Sequence, residues 1–261
     1  MDDLMQPLPA AFLALLLAHL LGDFPLQLPW IARNKTGRLL PLLVHGAVHW
    51  LLAWFCLVFF GQAPFLSIRN QLVIVGYIAV HLAIDRFKSL LIARSILADN
   101  CGTFLLDQLL HGIAMGAVAL LLSKSNVAAL ADLLHFSLIA RSRIVETAII
   151  YVGIVFGGGY LIRYVIRGIA RGVVQEGPEQ LQNAGLYIGW IERALIITAM
   201  ALQSPALVGL ILTGKSIARF PEFKEPRFAE YFLIGTLLSI LLAVFGGIAL
   251  LQILYGTGSL K

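Results

Sequence analysis

Long apolar runs separated by short polar breaks dominate this chain. Runs near the length that crosses a bilayer as a helix, about 20 residues, stand at Leu8 to Phe24, Leu39 to Gly61, Leu72 to Ile92, Thr103 to Leu122, Ile144 to Ile162, Leu186 to Leu202 and Tyr231 to Leu254. The pattern predicts an all-α fold, a polytopic transmembrane helix bundle of about seven spans. Composition agrees: 59% of the 261 residues are hydrophobic and only 13% are charged, far too apolar for a soluble domain of this length. The segment from Val127 to Ala140 mixes Asp132 and His135 with leucines and is too short and polar to span. It is expected to lie in the interface as an amphipathic helix. Three regions follow: a four-helix membrane domain over 1–125, an interfacial linker over 126–143, and C-terminal membrane helices over 144–261.

Against this apolar background, four pairs of metal-capable side chains stand four residues apart. His19 and Asp23, then His45 and His49, are followed by His81 and Asp85, then Asp107 and His111, and each member of the second set lies 62 positions after its counterpart. Five of the six histidines have such a partner four positions away. Residues at i and i+4 share one face of a helix, so each pair aims two donors at one point. The constant offset predicts an internal two-helix hairpin repeat, with two copies related by a pseudo-twofold along the membrane normal. Ionisable groups are costly in lipid and usually functional, which sets these eight apart from ordinary core residues. An interhelical polar network or proton relay is the competing explanation.

Each pair sits at the end of an odd-numbered span or near the start of an even-numbered one, so all four arrive at one membrane face. Arg33, Lys35 and Arg38 follow the first span and Arg86, Lys88 and Arg94 the third, whereas only Arg69 lies between the second and third. The positive-inside bias therefore assigns the metal-capable face to the cytoplasm and the N-terminus to the outside. The acidic start Met1-Asp2-Asp3 lacks the basic region of a cleavable signal, so the first span is expected to be retained. The later loops are ambiguous, and a turn at Ser204-Pro205 would make Ala206 to Leu212 a short re-entrant piece.

Imidazole and carboxylate donors without thiolate suit one or two divalent ions, Zn, Fe or Mn, and Cys56 and Cys101 have no spacing that would make them ligands. Gln27, Lys88 and Gln108 stand close to the pairs in sequence and can orient a ligand or a substrate oxyanion, although Lys35 and Lys88 also suit interface-snorkelling. Two patterns carry no such weight. Gly209 to Ser216 matches a phosphate-binding loop, yet it continues an apolar helix and no Asp follows Asp132, so no nucleotide partner is expected. Glu192 and Arg193 interrupt the sixth span and each needs a partner elsewhere, for which Arg163 and Arg167 are candidates on the acid side. Gly157-Gly158-Gly159 suggests a close helix contact. The net charge of +5 comes from loops and suits anionic lipid, not nucleic acid.

The stretch His19-Leu-Leu-Gly-Asp23-Phe-Pro-Leu-Gln27, with His45 and His49, His81 to Asp85 and Asp107 to His111, resembles the bacterial domain-of-unknown-function family 3307 over roughly residues 10 to 120. Lys215 to Phe220 and Ala229 to Thr236 resemble a C-terminal extension of some members. The resemblance implies a multi-pass protein of the bacterial inner membrane and brings no established activity.

These residues favour a metal-dependent hydrolase that works on a lipid or lipid-linked substrate near the cytoplasmic face, with Asp23, Asp85 and Lys88 as catalytic residues beside the metal ligands. A metal-ion or proton-coupled transporter, a membrane di-iron oxidase and a non-catalytic subunit whose C-terminal helices dock a partner are the rivals. The oligomeric state is open.

Overall fold

The computed structural model describes residues 8–35, 37–60, 67–123, 140–169, 184–224 and 226–256. Among them the protein is all-α, without a strand. The chain divides into two compact units, residues 1–149 and 150–261. The expected interfacial helix over 126–143 falls mostly outside the described residues.

The first unit is built on α1 (Leu8–Asp23), α2 (Pro29–Asn34), α3 (Leu39–Phe60), α4 (Ile68–Ala93) and α5 (Cys101–Ser123). Contacts run from α1 to α3, α3 to α4, α4 to α5 and α5 back to α1, which closes a four-helix ring, with α2 laid against α3. The hairpin repeat is visible in the boundaries, since α3 and α5 begin 62 residues apart at Leu39 and Cys101. Its two copies differ where their first helix ends. Pro25 stands two residues after Asp23 and α1 stops ahead of it, because proline cannot continue the ladder of hydrogen bonds, and Pro29 then opens α2 at a position where its missing N–H costs nothing. In the second copy α4 continues two turns past Asp85 to Ala93. Local caps set the remaining ends: the Ser67 hydroxyl accepts from Asn70 N–H at 3.2 Å, and the Asn100 side chain accepts from Thr103 N–H at 3.0 Å.

The second unit contains the end of α6 (Ala140–Val152), a π-helical turn over Gly153–Gly157, α7 (Gly158–Ile169), α8 (Ala184–Ala201), α9 (Ala206–Arg219), a 3-10 turn over Phe220–Lys224 and α10 (Pro226–Tyr255). Val155, Ile196, Ile197, Ala243 and Leu250 form its core. The chain turns back after α8 through Gln203, held at a positive φ of 54°, and the piece expected over Ala206 to Leu212 is the first half of α9, which packs on α8. Gly209 to Ser216 is helical throughout, so it offers no loop to cradle a phosphate.

Four helical stretches among the described residues are long and apolar enough to cross a bilayer: Leu39–Phe60, Cys101–Ser123, Arg143–Ile169 and Ala229–Tyr255. Leu8–Asp23 is a shorter apolar helix. Leu43, Phe55, Leu72, Leu109 and Leu237 are among many large apolar side chains left exposed, as a surface solvated by lipid tails requires. The protein is of the membrane class on these grounds. The span count read from hydropathy is approximate, because α4 carries its charges inside the helix and α1 and α8 are short.

Candidate metal centre

Each functional pair sits on the inner face of its helix, and the ring of four helices brings all four pairs to one level. On α3 and α5 the donors lie about 10–15 Å from the helix start at 1.5 Å per residue. His19, His45, His49, His81, Asp85, Asp107 and His111 are buried, and Asp23 keeps 10% of its side chain accessible. Beyond this level, towards the start of α1 and the end of α3, the interior is closed by Leu15, Leu57, Ile74, Met115 and Ala119. Tyr77 lies in that half, one turn from His81, and its buried hydroxyl has no partner among the described residues.

At the centre stands the carboxylate of Asp23. Its Oδ1 lies 3.1 Å from Nε2 of His49, 3.4 Å from Nε2 of His45 and 3.7 Å from Nε2 of His81, while His45 and His81 bring their Nε2 atoms within 3.3 Å of each other. A tetrahedral ion with bonds of about 2.0–2.2 Å needs donors roughly 3.3–3.6 Å apart. Four of the six edges of such a tetrahedron thus lie at or close to the required length, and one donor atom from each residue lies within 4.8 Å of all the others. The rings are packed to hold that arrangement, with His49 and His81 centroids 4.0 Å apart and His45 and His49 centroids 4.5 Å apart.

A second lobe, His81, Asp85 and His111, shares His81 with the first. Its edges are longer, 3.9 Å from Asp85 to each imidazole Nε2. His111 donates from Nδ1 to the backbone carbonyl of Asp107 at 2.8 Å, which leaves its Nε2 lone pair facing Asp85 without a hydrogen-bond partner among the described residues. A cation is what such a buried, orphaned acceptor lacks. The Nδ1 atoms of His19, His45 and His81 are likewise unpartnered among the described residues, so Nε2 is the nitrogen that each ring turns to the cluster.

His19 and Asp107 stand around this core, not in it. His19 Nε2 is 3.6 Å from the other oxygen of Asp23 and 3.4 Å from Oε1 of Gln108, whose amide in turn donates to Asp107 at 3.3 Å. Asp107 also accepts from Lys88 Nζ at 2.7 Å, and its backbone carbonyl orients His111. Gln108 thus links a donor of α1 to one of α5. Gln27 lies beyond the end of α1.

Two contributors were not singled out from the sequence. Lys35, in the connection after α2, reaches back to donate to Asp85 at 2.5 Å and to His45 Nε2 at 3.4 Å. Gly22 gives His49 its place, since a β-carbon there would stand 2.5 Å from the His49 ring. The Gly22 signal lay in the motif itself, between two donors; Lys35 looked like one more loop cation.

In the second unit Glu192 finds Lys215, at 2.6 Å, instead of Arg163 or Arg167. Buried Arg193 donates twice to the carbonyl of Val155, at 3.1 and 2.7 Å, and once to the Ser239 hydroxyl at 3.1 Å.

Fold and site together define an all-α membrane protein with a buried nitrogen-and-carboxylate cluster of the kind that can hold a metal ion. Residues 11–139 match the model of the family described as "Protein of unknown function (DUF3307)". The match takes in the whole cluster, and it is the family that the His19 to His111 motifs resemble. No curated protein and no solved structure matches the chain.

Proposed function

We propose that the first unit is the centre of a metal-dependent membrane hydrolase acting on a lipid or lipid-linked substrate. The observation that carries the metal half of this reading is the near-tetrahedral spacing of Asp23, His45, His49 and His81. Donors without thiolate suit Zn, Fe or Mn. When bound, such an ion supplies Lewis acidity and makes an attached water easier to deprotonate.

The chain's own side chains take the remaining roles. Asp85 lies 3.3 Å from His45 and beside the four donors, where a carboxylate can accept the proton of an attacking water. Lys88, with 28% of its side chain accessible against 15% for Lys35, is the more open of the two lysines bonded to the cluster's carboxylates and can meet the anionic oxygen of an ester or phosphoester arriving from the leaflet. Apolar closure on the far side of the cluster and lipid-facing helices around it favour a substrate entering from one face. The loop charges Arg38, Lys88 and Arg94 favour a cytoplasmic position for that face by the positive-inside bias. That one-sided access also favours an enzyme over a transporter, which needs a path to both sides.

The test is elemental analysis of the full chain purified in detergent, followed by assay against lipid esters and phosphodiesters. One ion per chain, lost together with hydrolysis in Asp23→Asn, is expected. Protein that takes up no Zn, Mn or Fe removes the metal reading. Metal-loaded protein that cleaves no ester or phosphodiester but carries the ion into liposomes replaces the enzyme by a transporter.

A further inference from the structure

We infer that Lys35 is a tethered cation that competes with the metal ion for the centre, so that metal binding expels it. The inference rests on the metal reading above and adds a regulatory element to that site.

The competition turns on the lone pair of His45. Its Nε2 lies on the tetrahedral edge set, 3.4 Å from Asp23 and 3.3 Å from His81, and it also accepts from the Lys35 ammonium at 3.4 Å. A neutral imidazole has one acceptor lone pair in the ring plane. That pair can be given to an N–H donor or to a metal ion, not to both. Lys35 also neutralises Asp85, the carboxylate nearest to His45 in the second lobe. An ammonium and a divalent ion crowded around one imidazole repel each other strongly in a buried site.

Position makes the competition reversible. Lys35 comes from no spanning helix; it follows the six-residue α2 in the connection to α3, and 15% of its side chain is accessible. A four-carbon stem lets the ammonium move outward without disturbing a helix. The repeat has no second plug, for the residue 62 positions after Lys35 is Leu97. Lys88, the other cluster lysine, is bonded to Asp107 and touches none of the four tetrahedral donors in the described contacts. Of the three carboxylates, Asp85 and Asp107 are held by lysines, and Asp23, among the described residues, by imidazoles alone. The ion is thereby steered to the Asp23 lobe, and a single ion is the favoured load of the intact chain.

Two measurements on the full chain in detergent test this. The first is Zn(II) affinity by chelator competition for the wild type and Lys35→Met, which keeps the unbranched stem of the side chain and removes its ammonium. At least tenfold tighter binding by the variant is expected. The second is acylation of lysines by an amine-reactive reagent with and without Zn(II), read by peptide mass spectrometry. Lys35 labelling should rise at least fivefold on metal addition, with Lys88 unchanged within twofold as the internal control. Equal or weaker binding by Lys35→Met, or Lys35 labelling that stays flat or falls, overturns the inference while a zinc-loaded wild type leaves the metal reading intact. If neither protein binds Zn(II), both fall. If Lys35→Met does not fold, the labelling of the wild type decides.

Discussion

The imidazole of His49 lies across Gly22 so closely that a β-carbon on Gly22 would be 2.5 Å from both Cε1 and Nε2 of the ring. The glycine is one residue before Asp23, whose Oδ1 is 3.1 Å from the same Nε2. A close approach of helix α1 and a ring from α3 thus brings Asp23 its nearest imidazole. Gly22→Ala should displace the ring, since overpacking of this kind costs about 1–3 kcal/mol and shifts side chains before it unfolds a bundle. Zn(II) affinity is expected to fall more than tenfold while the thermal unfolding midpoint drops only by a few degrees. A Gly22→Ala protein with wild-type affinity would show that His49 is not a ligand.

The four carboxylate and imidazole donors of the core differ from their neighbours in a way that substitution separates. Asp23→Asn keeps the size of the side chain and removes the charge that four imidazoles surround, and the bound ion should be lost. The Asp107 side chain instead holds Lys88 and, through Gln108, the His19 that orients Asp23, while its backbone carbonyl orients His111. Residues that orient a ligand typically change metal affinity by about 10–100-fold when altered, so Asp107→Asn should weaken binding within that range and retain one ion per chain at saturating metal. Titration of both variants side by side checks the distinction. Loss of stoichiometry in Asp107→Asn would move Asp107 into the core.

Much of this was legible in the chain because lipid solvation simplifies the code. In a helix that must be apolar outside, a His or Asp on a four-residue spacing has few reasons to exist, and His19 to His111 stood out for that reason. The offset of 62 carried through to the starts of α3 and α5. Ranking within the eight was not legible. Spacing gives Asp107 and Asp23 equal standing, whereas their environments differ: Lys88 and Gln108 surround one, four histidines the other. Lys35 was hidden for a different cause, because a side chain reaching in from a connection obeys no helical period. The π turn at Gly153–Gly157 also escaped hydropathy, which does not register a single extra residue in a helical turn.

Metal removal should be visible as stability. An ion that binds only the folded state stabilises it by roughly 4 kcal/mol when present at a thousand times its Kd. Stripping the purified protein with a chelator is expected to lower its unfolding midpoint by several degrees, and added Zn(II) or Mn(II) to restore it. The Asp23→Asn protein should show no response to either treatment. A midpoint that is indifferent to chelator and metal in the wild type would mean that the cluster stabilises itself as a hydrogen-bonded network.

The second unit offers a contrasting case, a buried charge whose contacts explain it structurally. In the π turn the carbonyl of Val155 is available to Arg193, which binds it twice, and Gly159 leaves room for the guanidinium: a β-carbon there would be 2.7 Å from Nη2. Arg193→Ala leaves that carbonyl without its donor and opens a cavity, each a mechanism that costs about 1–3 kcal/mol or more. Arg193→Lys keeps the charge but cannot form the paired contact. Both should speed hydrogen exchange in peptides covering 150–169, Arg193→Ala more strongly, with the bound metal per chain unchanged. Because Glu192 is held by Lys215 at 2.6 Å, it is not free to compensate. Unaltered exchange in Arg193→Ala would mean that the π turn stands without its arginine, and Arg193 would then need a ligand of its own to account for its burial.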